Sequence, residues 1–189
     1  MARDAFDSIM RSLDAPMVVV TTATEHERAG CLVGFHSQCS IEPVRYAVWL
    51  SKANHTCRVA LHATHLAVHY LGEDDRALAE LFGERSGDDI DKFERVATTE
   101  GPHGVPLLDD CADRVVFRRT SFLEEGSDHI CFMLEPVEAS AGSSGVARRM
   151  RLSDVADMTP GHEAVERPDP TEERATPSAA GTRQDATPG

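Results

Sequence analysis

Apolar and polar positions fall into two rhythms along this chain. Phe6, Ile9, Met10 and Leu13 recur at helical spacing behind Asp4, a plausible N-cap, so the pattern predicts an amphipathic helix over residues 4–13, closed by Pro16. Residues 17–22 are apolar and β-branched and predict a strand, 25–28 is a charged turn, and 31–35 predicts a second strand, hence a hairpin. A third strand covers 46–50. Residues 56–63 read as a helix with Thr56 as its cap, and 66–71 as a buried strand. Asp74 or Asp75 caps a helix running through Phe82, with Leu78, Leu81 and Phe82 inward. Residues 87–96 predict a short helix and an extended piece, and 101–106 a loop. Residues 114–123 and 130–139 predict a second hairpin around 124–128.

Strands outnumber helices and stand in hairpin order, which favours an antiparallel barrel with peripheral helices over a parallel βαβ sheet. No internal repeat is visible. Residues 1–159 carry the periodic segments and form one domain. From Pro160 onward the composition changes: five of the ten prolines lie there, and no aromatic residue does. Such a stretch buries too little apolar surface to offset its ordering entropy, so 160–189 is expected to be disordered.

Composition narrows the class. Hydrophobic residues make up 41% of the chain, no apolar run reaches membrane-spanning length, and no signal peptide is evident. Five cysteines without a CxxC pair fit reduced thiols and a cytoplasmic location. A net charge of -13 argues against nucleic-acid or anionic-membrane partners, whose phosphates need cationic groups. A phosphate-bearing cofactor must then be met locally. The only lysines are Lys52 and Lys92.

Four segments could carry chemistry. They are the run from Gly30 to Pro43, the turn Ser51-Lys52-Ala53-Asn54-His55-Thr56, the tripeptide Asp91-Lys92-Phe93, and Ser127-Asp128-His129. In order and spacing they resemble the flavin reductase-like family, whose fold is an FMN-binding split β-barrel. The resemblance covers roughly residues 4–139. It implies an NAD(P)H-dependent flavin reductase that passes hydride from NADH or NADPH to FMN or FAD. It further implies a homodimer and, for many members, a partner monooxygenase that receives reduced flavin.

Roles follow from the resemblance, each beside a plainer reading. The turn with Ser51, Lys52, His55 and Thr56 offers hydroxyls, amides, a cation and a helix start for a flavin phosphate; without the resemblance it reads as a solvated strand-to-helix turn capped by Thr56. Gly34 allows close backbone approach, Phe35 or His36 could line a slot for the flavin ring, and Ser37 and Ser40 could hydrogen-bond it; otherwise this is a strand ending in a polar loop. Lys92 and Phe93 would approach the cofactor or the substrate cleft, or else be an exposed lysine beside a core phenylalanine. His129, oriented by Asp128, would meet the nicotinamide or move a proton, or else be a strand-start histidine bonded to backbone. Ser127 stands where the family has glycine. Leu32, Gly34 and Phe35 stand where it prefers hydroxylated residues. These departures leave open a flavin- or haem-binding split barrel without turnover, or a deazaflavin-dependent enzyme. His62, His65 and His69 would share a face only on one continuous helix, which the strand pattern at 66–71 opposes, so no metal site is expected.

Overall fold

The computed structural model describes residues 2–142 and 148–161. Among the described residues nine strands and three α-helices form: α1 Ala2–Leu13, β1 Val18–Ala23, β2 Arg28–Val33, β3 His36–Ser40, β4 Arg45–Ser51, α2 His55–His62, β5 His65–Tyr70, α3 Arg76–Glu84, β6 Thr98–Glu100, β7 Pro106–Leu108, β8 Arg114–Leu123 and β9 His129–Ser140. Seven strands make one antiparallel sheet in the order β2-β1-β5-β8-β9-β4-β3. Its two edges, β2 and β3, are consecutive in the chain and separated only by Gly34 and Phe35. The sheet must therefore curl until its edges meet. The Trp49 amide donates to the Phe35 carbonyl (2.9 Å), carrying the β3–β4 ladder one residue further towards the end of β2. The result is the expected mainly-β split barrel with peripheral helices.

Strand alternation explains the interior. Val18 and Val20, Leu66 and Val68, Val48 and Leu50, and Ile130, Phe132 and Leu134 all point into one buried cluster. The opposite face of β1 packs Val19 against Leu71, Leu78 and Phe82 beneath α3. Gly30 permits that approach: a Cβ there would lie 2.7 Å from the Phe82 ring.

Both hairpins form, with Gly126 in the left-handed region at the second turn. Three differences have physical causes. β3 is an edge strand with polar, exposed residues, so it lacks the alternation that marks a half-buried strand. Residues 92–94 make only one 3-10 turn, held by the Asp91 carboxylate accepting from the Phe93 amide (2.9 Å). α1 forms, but none of its residues is buried; Phe6, Ile9, Met10 and Leu13 stay exposed. Of the segment expected to be a disordered tail, Pro160 and Gly161 are ordered against the domain, and 162–189 lies outside the described residues.

Candidate functional site

A cavity of about 430 Å3 opens at the barrel seam. That size lies within the ~300–1,000 Å3 typical of small-molecule sites. One side is the end of β2 and the seam itself, from Cys31 to Phe35. The floor is Met17, Leu50 and Phe82. The polar rim comes from Ser51, Asn54, Asp128 and His129. Leu152, Val155, Met158 and Pro160 form the remaining wall.

The β4–β9 ladder builds the rim. Ser51 stands directly opposite His129, and the Lys52 amide donates to the Asp128 carbonyl (2.9 Å). Two segments far apart in sequence therefore meet at one ladder end. The Asp128 carboxylate accepts from His129 Nδ1 (3.0 Å), so a neutral His129 carries its lone pair on Nε2. The Phe35 ring lies 5.3 Å from His129 and is 63% exposed.

The turn into α2 differs from expectation in its cap. Asn54, not Thr56, caps the helix: its side-chain oxygen accepts from the Thr56 amide (3.0 Å). Thr56 itself is buried. The Ala53 amide donates to the Ser51 hydroxyl oxygen, and the Asn54 and Cys57 amides bond within the turn. Most backbone donors are thus already used, and a phosphate here would depend on side chains. The cation is Lys52, whose Nζ lies 2.6 Å from Glu124 Oε1 at the surface. His55 is turned the other way, between Glu27 (3.0 Å) and Asp88.

Gly34, Phe35, Ser51 and His129 thus gather at the cavity, with Lys52 beside it. The others lie elsewhere. Between the Tyr46 hydroxyl (2.5 Å) and the Pro16 carbonyl (3.0 Å), His36 is locked in place. Because the carbonyl can only accept, Nε2 donates to it and Nδ1 accepts from Tyr46. Burial lowers the His36 pKa. Ser37 and Ser40 sit on the outer edge strand, where the Ser37 hydroxyl donates to the Gln38 carbonyl. Lys92 is a buried structural cation, not the exposed lysine of the plainer reading. Its Nζ donates to the carbonyls of Gly30 (2.9 Å) and Phe82 (3.2 Å), and burial lowers its pKa. Phe93 packs in the core beneath α3. Both border a second cleft, of about 580 Å3, with the ion-paired Arg28 and Asp91 at its edge.

The histidine trio is split as the strand pattern requires. His62 ends α2, whereas His65 and His69 lie on β5. The Thr21 hydroxyl donates to the Pro106 carbonyl (2.6 Å) and so must accept from His69 Nε2 (3.1 Å). Burial pushes the His69 pKa down to about 3, and its Nδ1 is buried without a hydrogen bond.

Several lining residues escaped the sequence reading: Trp49, Asn54, Phe82 and the wall at 152–160. For the wall a signal exists. Leu152, Val155 and Met158 recur every third residue in a polar stretch, the repeat of a 3-10 helix, and Leu152–Val155 is one.

The donor set suits a flavin: apolar walls for a flat tricyclic ring, with hydroxyl, amide, imidazole and ammonium groups on one rim. Comparison with known proteins agrees with that chemistry. Residues 10–151 match the model of the flavin reductase like domain. The chain is 32% identical over 142 residues to NADH:riboflavin 5'-phosphate oxidoreductase of Streptomyces pristinaespiralis, covering 73% of this chain and 77% of that protein. Over 138 residues it is 28% identical to the reductase component of 4-nitrophenol 4-monooxygenase/4-nitrocatechol 2-monooxygenase of Rhodococcus opacus, covering 73% and 72%. A flavin reductase domain protein from Arthrobacter sp. FB24 superposes with a TM-score of 0.67 at 23% identity, over 76% of this chain and 87% of that one. With its seam cavity, its split barrel and a match over three quarters of its length, the chain belongs to the flavin reductase-like family.

Proposed function

We propose that this protein is an NADH-dependent flavin reductase that takes FMN in the seam cavity and supplies reduced flavin to a partner monooxygenase. The observation that carries the reading is the convergence of Ser51, His129 and Phe35 on one cavity mouth through the β4–β9 register. The likeness to an NADH:riboflavin 5'-phosphate oxidoreductase supports FMN and NADH as the pair, and that to a monooxygenase reductase component supports the partner.

The flavin, when bound, accepts hydride from the nicotinamide. The chain's own residues bind and orient. Leu50, Phe82, Val33 and Val155 line the cavity with apolar surface and exclude water from it. Lys52 exchanges Glu124 for the flavin phosphate, a charge-assisted contact in a chain otherwise short of lysine. Asn54 spends its oxygen on the helix cap and has its NH2 group to donate. His129, fixed by Asp128, holds a proton site at Nε2 beside the mouth. Phe35 offers an exposed aromatic surface on which a second flat ring can lie.

A homodimer completes the reading. α1 presents Phe6, Ile9, Met10 and Leu13 to solvent, and Ile41 and Val44 are exposed beside the β3 edge. A second copy would cover both the apolar surface and the open strand edge.

The test is to follow nicotinamide absorbance with purified protein, FMN or FAD, and NADH or NADPH. Flavin-dependent loss of NADH, fastest with FMN, is expected. Bound flavin after gel filtration with no nicotinamide consumed would replace the reductase by a flavin carrier. Leu32, Gly34 and Phe35, which lack side-chain hydroxyls, favour that second reading.

A further inference from the structure

The family match ends at Arg151, yet one wall of the cavity begins at the next residue. The segment from Arg148 to Gly161 runs from the end of β5 past the start of β1 to the end of α3, beside the cavity, and is fastened along its length. Met150 exchanges backbone hydrogen bonds with Met17 and Leu71 (2.9 and 3.0 Å). The Leu152 amide donates to the Ala15 carbonyl (2.9 Å), and Ser153 donates to the Asp14 carboxylate through both its amide and its hydroxyl (2.8 and 3.0 Å). From the other side Arg76 donates to the Asp154 carbonyl (2.6 Å) and to the Asp157 carboxylate (2.8 Å). The end is latched by the Gly161 amide on the Gly83 carbonyl (3.0 Å).

The latch requires glycine. A Cβ at Gly161 would lie 2.6 Å from the backbone carbon and oxygen of Glu84, atoms of α3 that cannot move aside as a side chain does. Any larger residue must lift the end of the strap from α3. What the latch holds in place is apolar. Leu152, Val155, Met158 and Pro160 turn towards the cavity, and Val155 is buried against the same core as Met17 and Phe82. The wall carries no cation, and the rim with Ser51, Asn54 and His129 is contributed by other elements.

We infer that residues 152–161 form a specificity wall that grips the flat apolar ring of the flavin, not its phosphate, with Met158 as a ring-contacting residue and Gly161 as a positioning residue. The inference rests on the cavity being the flavin site. It separates the two halves of the ligand: the α2 turn reads the phosphate, and the strap reads the ring.

The experiment measures Kd for FMN and for riboflavin, which has the ring without the phosphate, by flavin fluorescence on the full chain. The variants are Gly161→Val and Met158→Ala, and thermal unfolding is followed in parallel. Both variants are expected to weaken FMN and riboflavin by the same factor, about ten-fold, as loss of one apolar side-chain contact predicts. Met158→Ala carries the test if Gly161→Val unfolds. If the parent binds both ligands and neither folded variant changes either Kd by more than about two-fold, the strap is a structural cover and the inference is wrong. Weakening of FMN alone also overturns it, since it would assign the strap to the phosphate. If the parent binds neither ligand, the flavin reading of the cavity itself falls and takes the inference with it.

Discussion

Two regions each hold one lysine and one important histidine, and they use them in opposite ways. Inside, Lys92 donates to two backbone carbonyls and His69 to Thr21, so both are consumed by the fold. At the seam, Lys52 pairs with a surface carboxylate and His129 with its own neighbour, partners that a ligand can replace or exploit. The contrast teaches that lysine scarcity in an acidic chain does not by itself mark a phosphate site. A buried ammonium that ties β2 to α3 is as good a reason to keep a lysine.

The sharpest way to break the contrast is Lys92→Ala. Removal leaves the Gly30 and Phe82 carbonyls unpaired beside a void, at a cost of about 3 kcal/mol in unfolding free energy. FMN affinity of the folded fraction should stay unchanged. A stable variant that binds FMN poorly would move Lys92 to the ligand.

His129→Ala should next lower turnover by roughly thirty-fold, with FMN Kd shifted by no more than about three-fold. Equal losses in both would make His129 a binding residue, and an unaltered turnover number a structural one.

His69 predicts acid sensitivity of the interior. Its folded pKa of about 3 lies below its ordinary 6.5. The unfolded chain therefore takes up a proton that the folded one refuses. Stability from this group is complete above the ordinary value and is lost as pH falls from 6.5 towards the folded pKa, by roughly 2 kcal/mol at about pH 5. Denaturant titrations of the parent and of His69→Gln between pH 7 and 5 measure this; equal slopes with pH would remove His69 as the cause.

The smallest effects belong to the rim. Lys52→Ala should weaken FMN about ten-fold through loss of a phosphate contact while leaving Tm nearly unchanged, since an exposed ion pair contributes only about 0–1 kcal/mol. Glu124→Ala should instead tighten FMN by about three-fold by releasing Lys52. Opposite signs in the two titrations sharpen the comparison, and like signs would dissolve it.

Much of the fold was readable from residue order. β8 spans the predicted residues, β4 and β5 lie within one residue of theirs, and the hairpin order that implied a barrel is present. β3 was not readable, because an exposed edge strand carries no alternation. The site was half readable. The family resemblance pointed to Ser51, Lys52 and His129, and the first and last of these line the cavity, but which side chains face it depends on how the sheet closes. Spacing alone could not tell that His36 would be captured by Tyr46, or Lys92 by backbone carbonyls 62 and 10 residues away.

The pairing of Ser51 with His129 also fixes a time order. One half of the cavity rim is made by the strand before α2 and the other by the last strand of the sheet. With the proposed site, a chain leaving the ribosome has no complete cavity rim until β9 has emerged and zipped onto β4, the slow kind of contact that bridges long stretches of sequence. On that proposal, flavin capture would report barrel closure in the nascent protein.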